Sequence, residues 1–245
     1  MNKGIYKILE NKCIAPSVYR MVLQGDVSHI TAPGQFINIS LDGFYLRRPI
    51  SVHDVDRENS TVTIIYKVVG EGTEYMMNLS DGELDVLCGL GNGFDTSLSG
   101  ETPVVVGGGV GVPPMFMLAK QLIAEGKKVT AILGFNKKEE VFCEEDFKAI
   151  GATVLVATAD GSYGVKGFVT DALATIPAPS FYYACGPEPM LKALYNANDV
   201  DGQLSFEERM GCGFGACMGC SCKTKYGNKR ICKDGPVLRK GEIIW

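Results

Sequence analysis

Five of the nine cysteines fall within the short stretch from residue 212 to residue 232. Cys212 is separated from Cys217 by four residues, and Cys217 from Cys220 by two. Cys232 follows after eleven more. This C-x4-C-x2-C…C spacing is typical of plant-type [2Fe–2S] sites, in which four thiolates hold two irons. The intervening glycines let a tight loop bend around such a cluster. The spacing therefore predicts a [2Fe–2S] cluster on these four cysteines.

Two alternatives to this ligand set remain open. Cys222 could replace Cys220, but only Cys220 completes the two-residue step, so Cys222 is predicted to be a free or packed thiol. Four cysteines can also hold a structural zinc ion. Zinc ribbons usually present two separate C-x2-C pairs, whereas this stretch has one such pair in a glycine-rich loop. The pattern therefore favours iron over zinc.

The composition excludes several classes of protein. The 245 residues fit two compact domains with an appendage. A formal net charge of -4 and a pI of about 5.3 argue against nucleic acid as the main partner, because phosphate binding needs a basic face. The first residues, MNKGIYKILENKCIAP, lack the apolar run of a signal peptide, and no apolar stretch predicts a membrane helix. We therefore expect a cytoplasmic protein. Because thiols stay reduced in the cytoplasm, a cluster of cysteines there indicates metal binding rather than disulfides.

The elements that must position the cluster fall into three segments. Residues 1–98 contain short alternating runs such as TVTIIYKV, broken by glycine turns, which predict an antiparallel β-barrel. One helix is expected after Gly72, with Thr73 as its N-cap. Residues 99–199 alternate strand-like and helix-like runs, which predict a parallel-sheet α/β domain. Residues 200–245 have too few large apolar residues for a core of their own and predict a small metal-stapled lobe.

Three segments of the barrel region supply groups that a flavin needs. Arg48-Pro49-Ile50-Ser51 offers a cation for a pyrophosphate and a hydroxyl for the ring system. Ile65-Tyr66-Lys67 adds an aromatic side chain and a second cation. Gly70-Glu71-Gly72-Thr73 leads into a helix whose N-terminus can accept a phosphate. Each segment alone is equally consistent with an ordinary surface charge or turn.

A glycine turn in the second segment predicts a nucleotide site. Gly107-Gly108-Gly109-Val110-Gly111 follows the strand-like run PVVV and precedes a helix, so its backbone can approach a pyrophosphate. It is not a complete GxGxxG motif, because Val112 holds the position of the third glycine. Cys185-Gly186-Pro187 follows another strand and would lie at the same edge of the sheet. Because no arginine cluster follows the second strand, NAD is favoured over NADP.

Taken in order, these segments resemble the ferredoxin–NADP reductase superfamily over essentially the whole chain. The RPIS, IYK and GT segments resemble its FAD-binding barrel, and GGGVGVPPM and CGPEPML resemble its nicotinamide-binding domain. The C-terminal ERMGCGFGACMGC is similar to one branch, the electron-transfer subunits of class B (NAD-linked) dihydroorotate dehydrogenases. The resemblance implies the same four cluster cysteines and FAD contacts at Arg48, Pro49, Ile50, Ser51, Ile65, Tyr66, Lys67, Gly72 and Thr73.

The resemblance also implies a function and partners. The chain would pass electrons between NAD(H) and a dihydroorotate-oxidising, FMN-containing catalytic subunit through FAD and the cluster, as a step of pyrimidine synthesis. The assembly would be a heterotetramer with two copies of each subunit. The alternatives are an NAD(P)H–ferredoxin or sulfide oxidoreductase subunit, a hydrogenase diaphorase subunit, and a zinc-stapled binding module. No nucleophile–base constellation predicts a catalytic residue, and His53 is interpreted as a hydrogen-bonded strand histidine.

Overall fold

The first six strands form a closed barrel in the computed structural model, which describes residues 1–245. They pair antiparallel in the order β1-β2-β5-β4-β3-β6. The barrel is filled by buried apolar side chains, among them Tyr6, Met21, Ile37 and Ile64. The strands are β1 (Asn2–Ala15), β2 (Val18–Gln24), β3 (Phe36–Ile39), β4 (Arg48–Asp56), β5 (Thr61–Lys67) and β6 (Glu83–Leu90).

A short helix, α1 (Glu71–Met77), follows the last residues of β5. The N-cap lies three residues earlier than the sequence predicted: Gly70, in extended backbone, occupies that position instead of Thr73. The Thr73 hydroxyl instead reaches back and accepts hydrogen bonds from the Val69 N–H at 2.9 Å and the Gly70 N–H at 3.2 Å. Thr73 therefore still satisfies free N–H groups at the helix start, but from the third helical position.

The second sheet has seven strands in the order β10-β9-β8-β7-β11-β12-β15. All neighbours pair parallel except the edge strand β15, which runs antiparallel to β12. Its apolar side chains are buried on both faces, as expected for a sheet covered by helices. The strands are β7 (Val104–Gly108), β8 (Thr130–Phe135), β9 (Thr153–Thr158), β10 (Val165–Lys166), β11 (Tyr182–Cys185), β12 (Gly202–Ser205) and β15 (Val237–Arg239).

Four helices connect these strands. They are α2 (Pro113–Ala124), α3 (Glu144–Ala149), α4 (Val169–Leu173) and α5 (Glu188–Ala197). Two prolines open α2, where the missing N–H costs nothing, and Gly126 follows its end with a φ of 84°. Helix α2 packs against barrel strand β4 as well as against β7 and therefore joins the two sheets. None of the helices is both long and apolar enough to cross a bilayer.

The cysteine-rich segment contributes strands to the second sheet and does not form a separate unit. Its two outer strands, β12 and β15, extend that sheet, and a separate hairpin of β13 (Ser221–Thr224) and β14 (Gly227–Arg230) carries the cysteine loop. Cys220, Ile231 and Cys232 are buried in the same apolar cluster as sheet residues. The segment therefore shares the core of the α/β domain, in addition to any stabilisation by the metal that its shortage of large apolar residues predicted. The division into 1–98, 99–199 and 200–245 stays a prediction.

Candidate cofactor sites

The cysteine loop directs backbone N–H groups at one sulfur. The N–H groups of Ala216 and Cys217 donate to Cys212 Sγ at 3.2 Å and 3.4 Å. Desolvation opposes ionisation, but hydrogen bonds from Cys217, Phe214 and Ala216 outweigh it and lower the pKa of Cys212 to about 6. A thiolate is the form that binds a metal, so this loop is prepared for one.

The four predicted ligands form two pairs. Cys212 and Cys217 are in hydrogen-bonding contact, as are Cys220 and Cys232. Burial, followed by the nearby sulfurs of Cys220 and Cys212, raises the pKa of Cys232 to about 12. A cationic metal centre would stabilise the thiolates and so offset this increase. Two pairs of thiolates match the two irons of a [2Fe–2S] cluster, with one pair for each iron.

The fifth cysteine of the stretch lies apart from this arrangement. Cys222 is on strand β13, opposite Lys229 of β14, and packs partly buried against the apolar cluster of the second sheet. Burial, with a smaller contribution from Glu208, raises the pKa of Cys222. Its environment therefore matches the packed thiol that the spacing predicted.

Two contacts hold the cysteine loop in place. Arg230 binds the Asp234 carboxylate with two nitrogens, at 2.9 Å and 3.1 Å, and donates a third bond to the Gly215 carbonyl at 3.0 Å. From the barrel, Asn38 Nδ2 donates to the Cys212 carbonyl oxygen at 3.3 Å. The loop is thus fixed between the hairpin that follows it and strand β3.

Two of the three segments predicted to bind a flavin meet at a cavity of about 350 Å³. Arg48 and residues 69–73 line it. The Arg48 side chain lies over the Phe44 ring, 4.8 Å from its centroid, and against the backbone of Gly72. A Cβ at Gly72 would overlap the guanidinium, so any other residue at this position requires Arg48 to move. A cation held over a turn is the arrangement that a pyrophosphate requires.

The remaining flavin-segment residues are placed in different ways. Pro49, Ile50 and Ser51 lie half-buried on β4. Ile65 and Tyr66 are buried, and the Tyr66 hydroxyl donates to Asn11 Oδ1 at 3.0 Å. The Tyr66 ring therefore belongs to the barrel core, and only its main chain can reach a flavin. Lys67 is exposed and borders a second, larger cavity.

That second cavity, of about 620 Å³, follows the carboxyl ends of the parallel strands. Its lining includes residues 108–111 at the end of β7 and in the turn that follows, residues 134–136 at the end of β8, and Gly186 and Pro187 after β11. A Cβ at Gly111 would collide with the Cys185 carbonyl, so glycine allows the turns after β7 and β11 to touch. Gly107 and Cys185 are buried beneath the cavity, and burial raises the pKa of Cys185 to about 12.

Several groups that line this cavity were not predicted. Phe168 lines the cavity and is 70% exposed, and Glu207 also lines it, where desolvation raises the pKa of the carboxyl. Asn136 and Glu140 border it after β8. Glu207 stands in the charged run EERM, which carries no signal that distinguishes it from a solvated surface. Asn136 lies in the stretch FNKKEE, where no motif marks it as a binding residue.

His53 confirms its interpretation as a hydrogen-bonded strand histidine. Its Nδ1 lies 3.0 Å from the Pro113 carbonyl, and its ring stacks on Phe116 with centroids 4.6 Å apart. Cys143 and Asp146 approach the same ring to within 4.8 Å. Burial is the main cause that lowers the pKa of His53 and raises the pKa of Cys143, so it favours the uncharged form of both groups. The group is best described as a polar contact between the barrel and the α/β domain.

A closed six-stranded barrel joined to a parallel sheet with a nucleotide cavity is the architecture of flavin-dependent ferredoxin reductases. Residues 105–195 match the family model of the oxidoreductase NAD-binding domain. The structure of the NADH-dependent reduced ferredoxin-NADP oxidoreductase matches with a TM-score of 0.89 at 30% identity, over 99% of this chain and 90% of that chain. The ferredoxin NADP+ reductase from Neisseria gonorrhoeae, with bound FAD and NADP, shares the fold with a TM-score of 0.70 at 17% identity, over 80% of this chain and 89% of that chain.

Residues 207–244 match the family model of the iron-sulfur cluster binding domain of dihydroorotate dehydrogenase B. The electron transfer subunit of dihydroorotate dehydrogenase B (NAD(+)) from Fusobacterium nucleatum is 50% identical over 248 residues, covering 96% of this chain and 95% of its own. The same subunit from Bacillus pumilus is 44% identical over 255 residues, covering 99% and 98%. The chain belongs to this family of electron transfer subunits. The predicted fold class and the cofactors FAD, [2Fe–2S] and NAD are confirmed, and the zinc-module alternative is wrong.

Proposed function

We propose that this chain carries electrons between NAD(H), bound above the parallel sheet, and a partner dehydrogenase that docks at the cysteine loop. One observation carries the proposal: the flavin segments lie between the nucleotide cavity and the cysteine loop. On one side, Lys67 of β5 borders the nucleotide cavity. On the other, Asn38 pairs with Pro49 across β3 and β4 while its side chain holds the Cys212 carbonyl. A flavin on these strands would therefore lie next to both the nucleotide cavity and the cysteine loop.

The cofactors supply the redox chemistry: FAD exchanges a hydride with the nicotinamide and single electrons with the [2Fe–2S] cluster. The chain's residues bind and orient them. Arg48 would neutralise the charge of the FAD pyrophosphate. Gly72, which has no side chain, leaves room for the Arg48 guanidinium. The Thr73 hydroxyl accepts a hydrogen bond from the Val69 N–H and so stabilises the adjoining turn. The proposed FAD contacts are those predicted: Arg48, Pro49, Ile50, Ser51, Ile65, Tyr66, Lys67, Gly72 and Thr73.

The cysteine loop would hold the cluster through the pairs Cys212–Cys217 and Cys220–Cys232, one pair for each iron. The N–H groups aimed at Cys212 would stabilise negative charge on its sulfur, and such hydrogen bonds raise the reduction potential of a cluster. The nucleotide pyrophosphate would lie on the turn after β7. The proposed contacts there are Gly107, Gly108, Gly109, Gly111, Cys185, Gly186 and Pro187.

The proposed partner is an FMN-containing dihydroorotate dehydrogenase catalytic subunit, in a heterotetramer of two copies each, located in the cytoplasm. The relatives' names describe an electron transfer subunit of dihydroorotate dehydrogenase B, which supports a separate catalytic subunit. Phe214 and Met218 lie on the cysteine loop and are 42% and 54% exposed. Apolar side chains exposed beside a redox centre support a docking surface at this loop.

Co-expression with a dihydroorotate dehydrogenase catalytic subunit tests this proposal. We expect a complex with the mass of two copies of each subunit, and dihydroorotate-dependent reduction of NAD+ only when both are present. Phe214→Asp should weaken the complex without changing iron or flavin content, whereas Leu9→Asp, an exposed change on β1, should not weaken it. A chain that binds no catalytic subunit but reduces ferredoxin with NADH or NADPH would support the ferredoxin oxidoreductase alternative instead.

A further inference from the structure

One end of the nucleotide cavity carries a positioned carboxylate. Asn136 directly follows β8, and Glu140 lies four residues later, at the end of a short 3-10 turn. Asn136 Nδ2 donates to Glu140 Oε2 at 2.9 Å. Both residues line the cavity, and Glu140 is half-buried there. The hydrogen bond fixes one carboxylate oxygen and leaves Oε1 free to accept another donor.

The strand order decides which half of a dinucleotide reaches this end. The connections of the sheet reverse between β7 and β11, so the pyrophosphate belongs at the turns of Gly109–Gly111 and Gly186. The nicotinamide must extend towards the flavin, on the barrel side marked by Lys67. The adenosine therefore extends the other way, across the end of β8 towards Asn136 and Glu140.

The nearby lysines do not compensate the Glu140 charge inside the cavity. The Lys138 ammonium lies over the Tyr163 ring, 5.7 Å from its centroid, and its backbone N–H donates to the Ser162 hydroxyl at 2.8 Å. Neither Lys137 nor Lys138 lines the cavity, and Lys67, its only lining cation, lies on the barrel. An adenosine ribose would thus meet a carboxylate and no cation.

We infer that Glu140, positioned by Asn136, makes this chain select NAD(H) over NADP(H). A carboxylate accepts a hydrogen bond from the free 2′-hydroxyl of the NAD(H) ribose, and it repels the 2′-phosphate of NADP(H). This inference rests on the proposed function, because it requires the dinucleotide to lie in this cavity. It adds the residue that discriminates between the two nucleotides.

The experiment measures ferricyanide reduction by the FAD- and cluster-loaded chain, with NADH and with NADPH as the donor. Wild type should prefer NADH. Glu140→Gln keeps the shape and the Asn136 contact but removes the charge, so kcat/KM for NADPH should rise about 10-fold, through KM. Its kcat/KM for NADH should fall a few-fold, again through KM. Glu139→Gln, an exposed neighbour outside the cavity, should leave both constants unchanged.

Asn136→Ala tests the positioning role. It should shift the NADH-to-NADPH ratio in the same direction as Glu140→Gln but less far, whereas a purely structural role would lower kcat/KM for both donors equally. The inference is overturned if Glu140→Gln leaves the ratio unchanged or if wild type prefers NADPH. A wild-type chain that oxidises neither nucleotide overturns the proposed function and this inference with it.

Discussion

The guanidinium of Arg48 lies directly against the backbone of Gly72, so that the position of a Cβ on Gly72 is already occupied by the arginine. The two residues come from the start of β4 and from the first turn of α1, and they form one wall of the smaller cavity. Arg48 can therefore keep its present position only if residue 72 has no side chain. This relationship links a sequence glycine to the proposed FAD pyrophosphate site.

Gly72→Ala should consequently weaken FAD binding. The added methyl group displaces the Arg48 guanidinium, and the loss of one charge-assisted hydrogen bond to a phosphate costs about 1.5–3 kcal/mol. We expect the Kd for FAD to rise at least about 10-fold, measured by titrating the flavin-free chain with FAD. Gly241→Ala, which meets nothing within 4 Å and lies far along the chain, should leave the Kd unchanged. Equal FAD affinity in Gly72→Ala would remove Arg48 from the site.

The cluster ligands are tested by two serine substitutions in one stretch. Cys222→Ser should leave iron content and the visible spectrum unchanged, because Cys222 packs against the apolar cluster rather than with the paired sulfurs. Cys220→Ser should reduce iron content, because Cys220 is buried beside Cys232. The reverse result, with iron lost from Cys222→Ser alone, would show that the ligand set is wrong.

The Asn92 side chain contributes two hydrogen bonds to the link between the barrel and the cysteine lobe. Asn92, in the turn after β6, donates from Nδ2 to the Val237 carbonyl at 2.8 Å and accepts from the Val237 N–H at 3.1 Å. Asn92→Ala removes both bonds and should lower the free energy of unfolding by about 1–2 kcal/mol. Urea unfolding followed by tryptophan fluorescence measures it, since Trp245 lies in this part of the chain.

A matched control for this change is Asn228→Ala on the exposed hairpin, where no side-chain hydrogen bond is lost. It should leave the urea midpoint unchanged. Equal stability of Asn92→Ala and Asn228→Ala would mean that the turn after β6 does not hold the lobe.

The buried histidine predicts a pH dependence of stability. Burial lowers the pKa of His53 below its usual value of about 6.5, despite the Pro113 carbonyl and nearby acidic groups. Below pH 6.5 the unfolded chain takes up a proton at this position that the folded chain resists. The contribution of His53 to stability therefore falls as the pH drops below 6.5, by at most about 1.4 kcal/mol per pH unit.

The two histidines of the chain provide the comparison. His53→Gln cannot gain a charge and should flatten the decline in urea midpoint between pH 7.5 and pH 5.5. His29→Gln, at an exposed position, should show the same decline as wild type. Parallel pH profiles for all three proteins would contradict a depressed His53 pKa.

Much of the fold followed from local patterns in the sequence. The alternation in TVTIIYKV predicts β5, and the glycine turn between a valine run and two prolines predicts β7 followed by α2. The cysteine spacing predicts the cluster site because three of its four ligands lie within nine residues of the chain. Such signals need only residues that are near each other in the chain.

The rest depended on contacts between distant segments. Strands β12 and β15 have four and three residues, too few for a period to be visible, and their place in the second sheet is set by pairing with β11 and with each other. The Tyr66 side chain is buried by Asn11 and the barrel core, which no pattern near residue 66 reveals. Glu140 and Asn136 join a site only because β8 ends beside the glycine turn.

The central claim is that NADH electrons reach the cluster through the flavin of this chain. Electron paramagnetic resonance of the purified, FAD-loaded chain, mixed anaerobically with NADH, tests it directly. The account predicts the signal of a reduced [2Fe–2S] cluster in wild type, and in Cys232→Ser bleaching of the flavin without that signal. A wild-type cluster that dithionite reduces but NADH does not, although NADH bleaches the flavin, would contradict it.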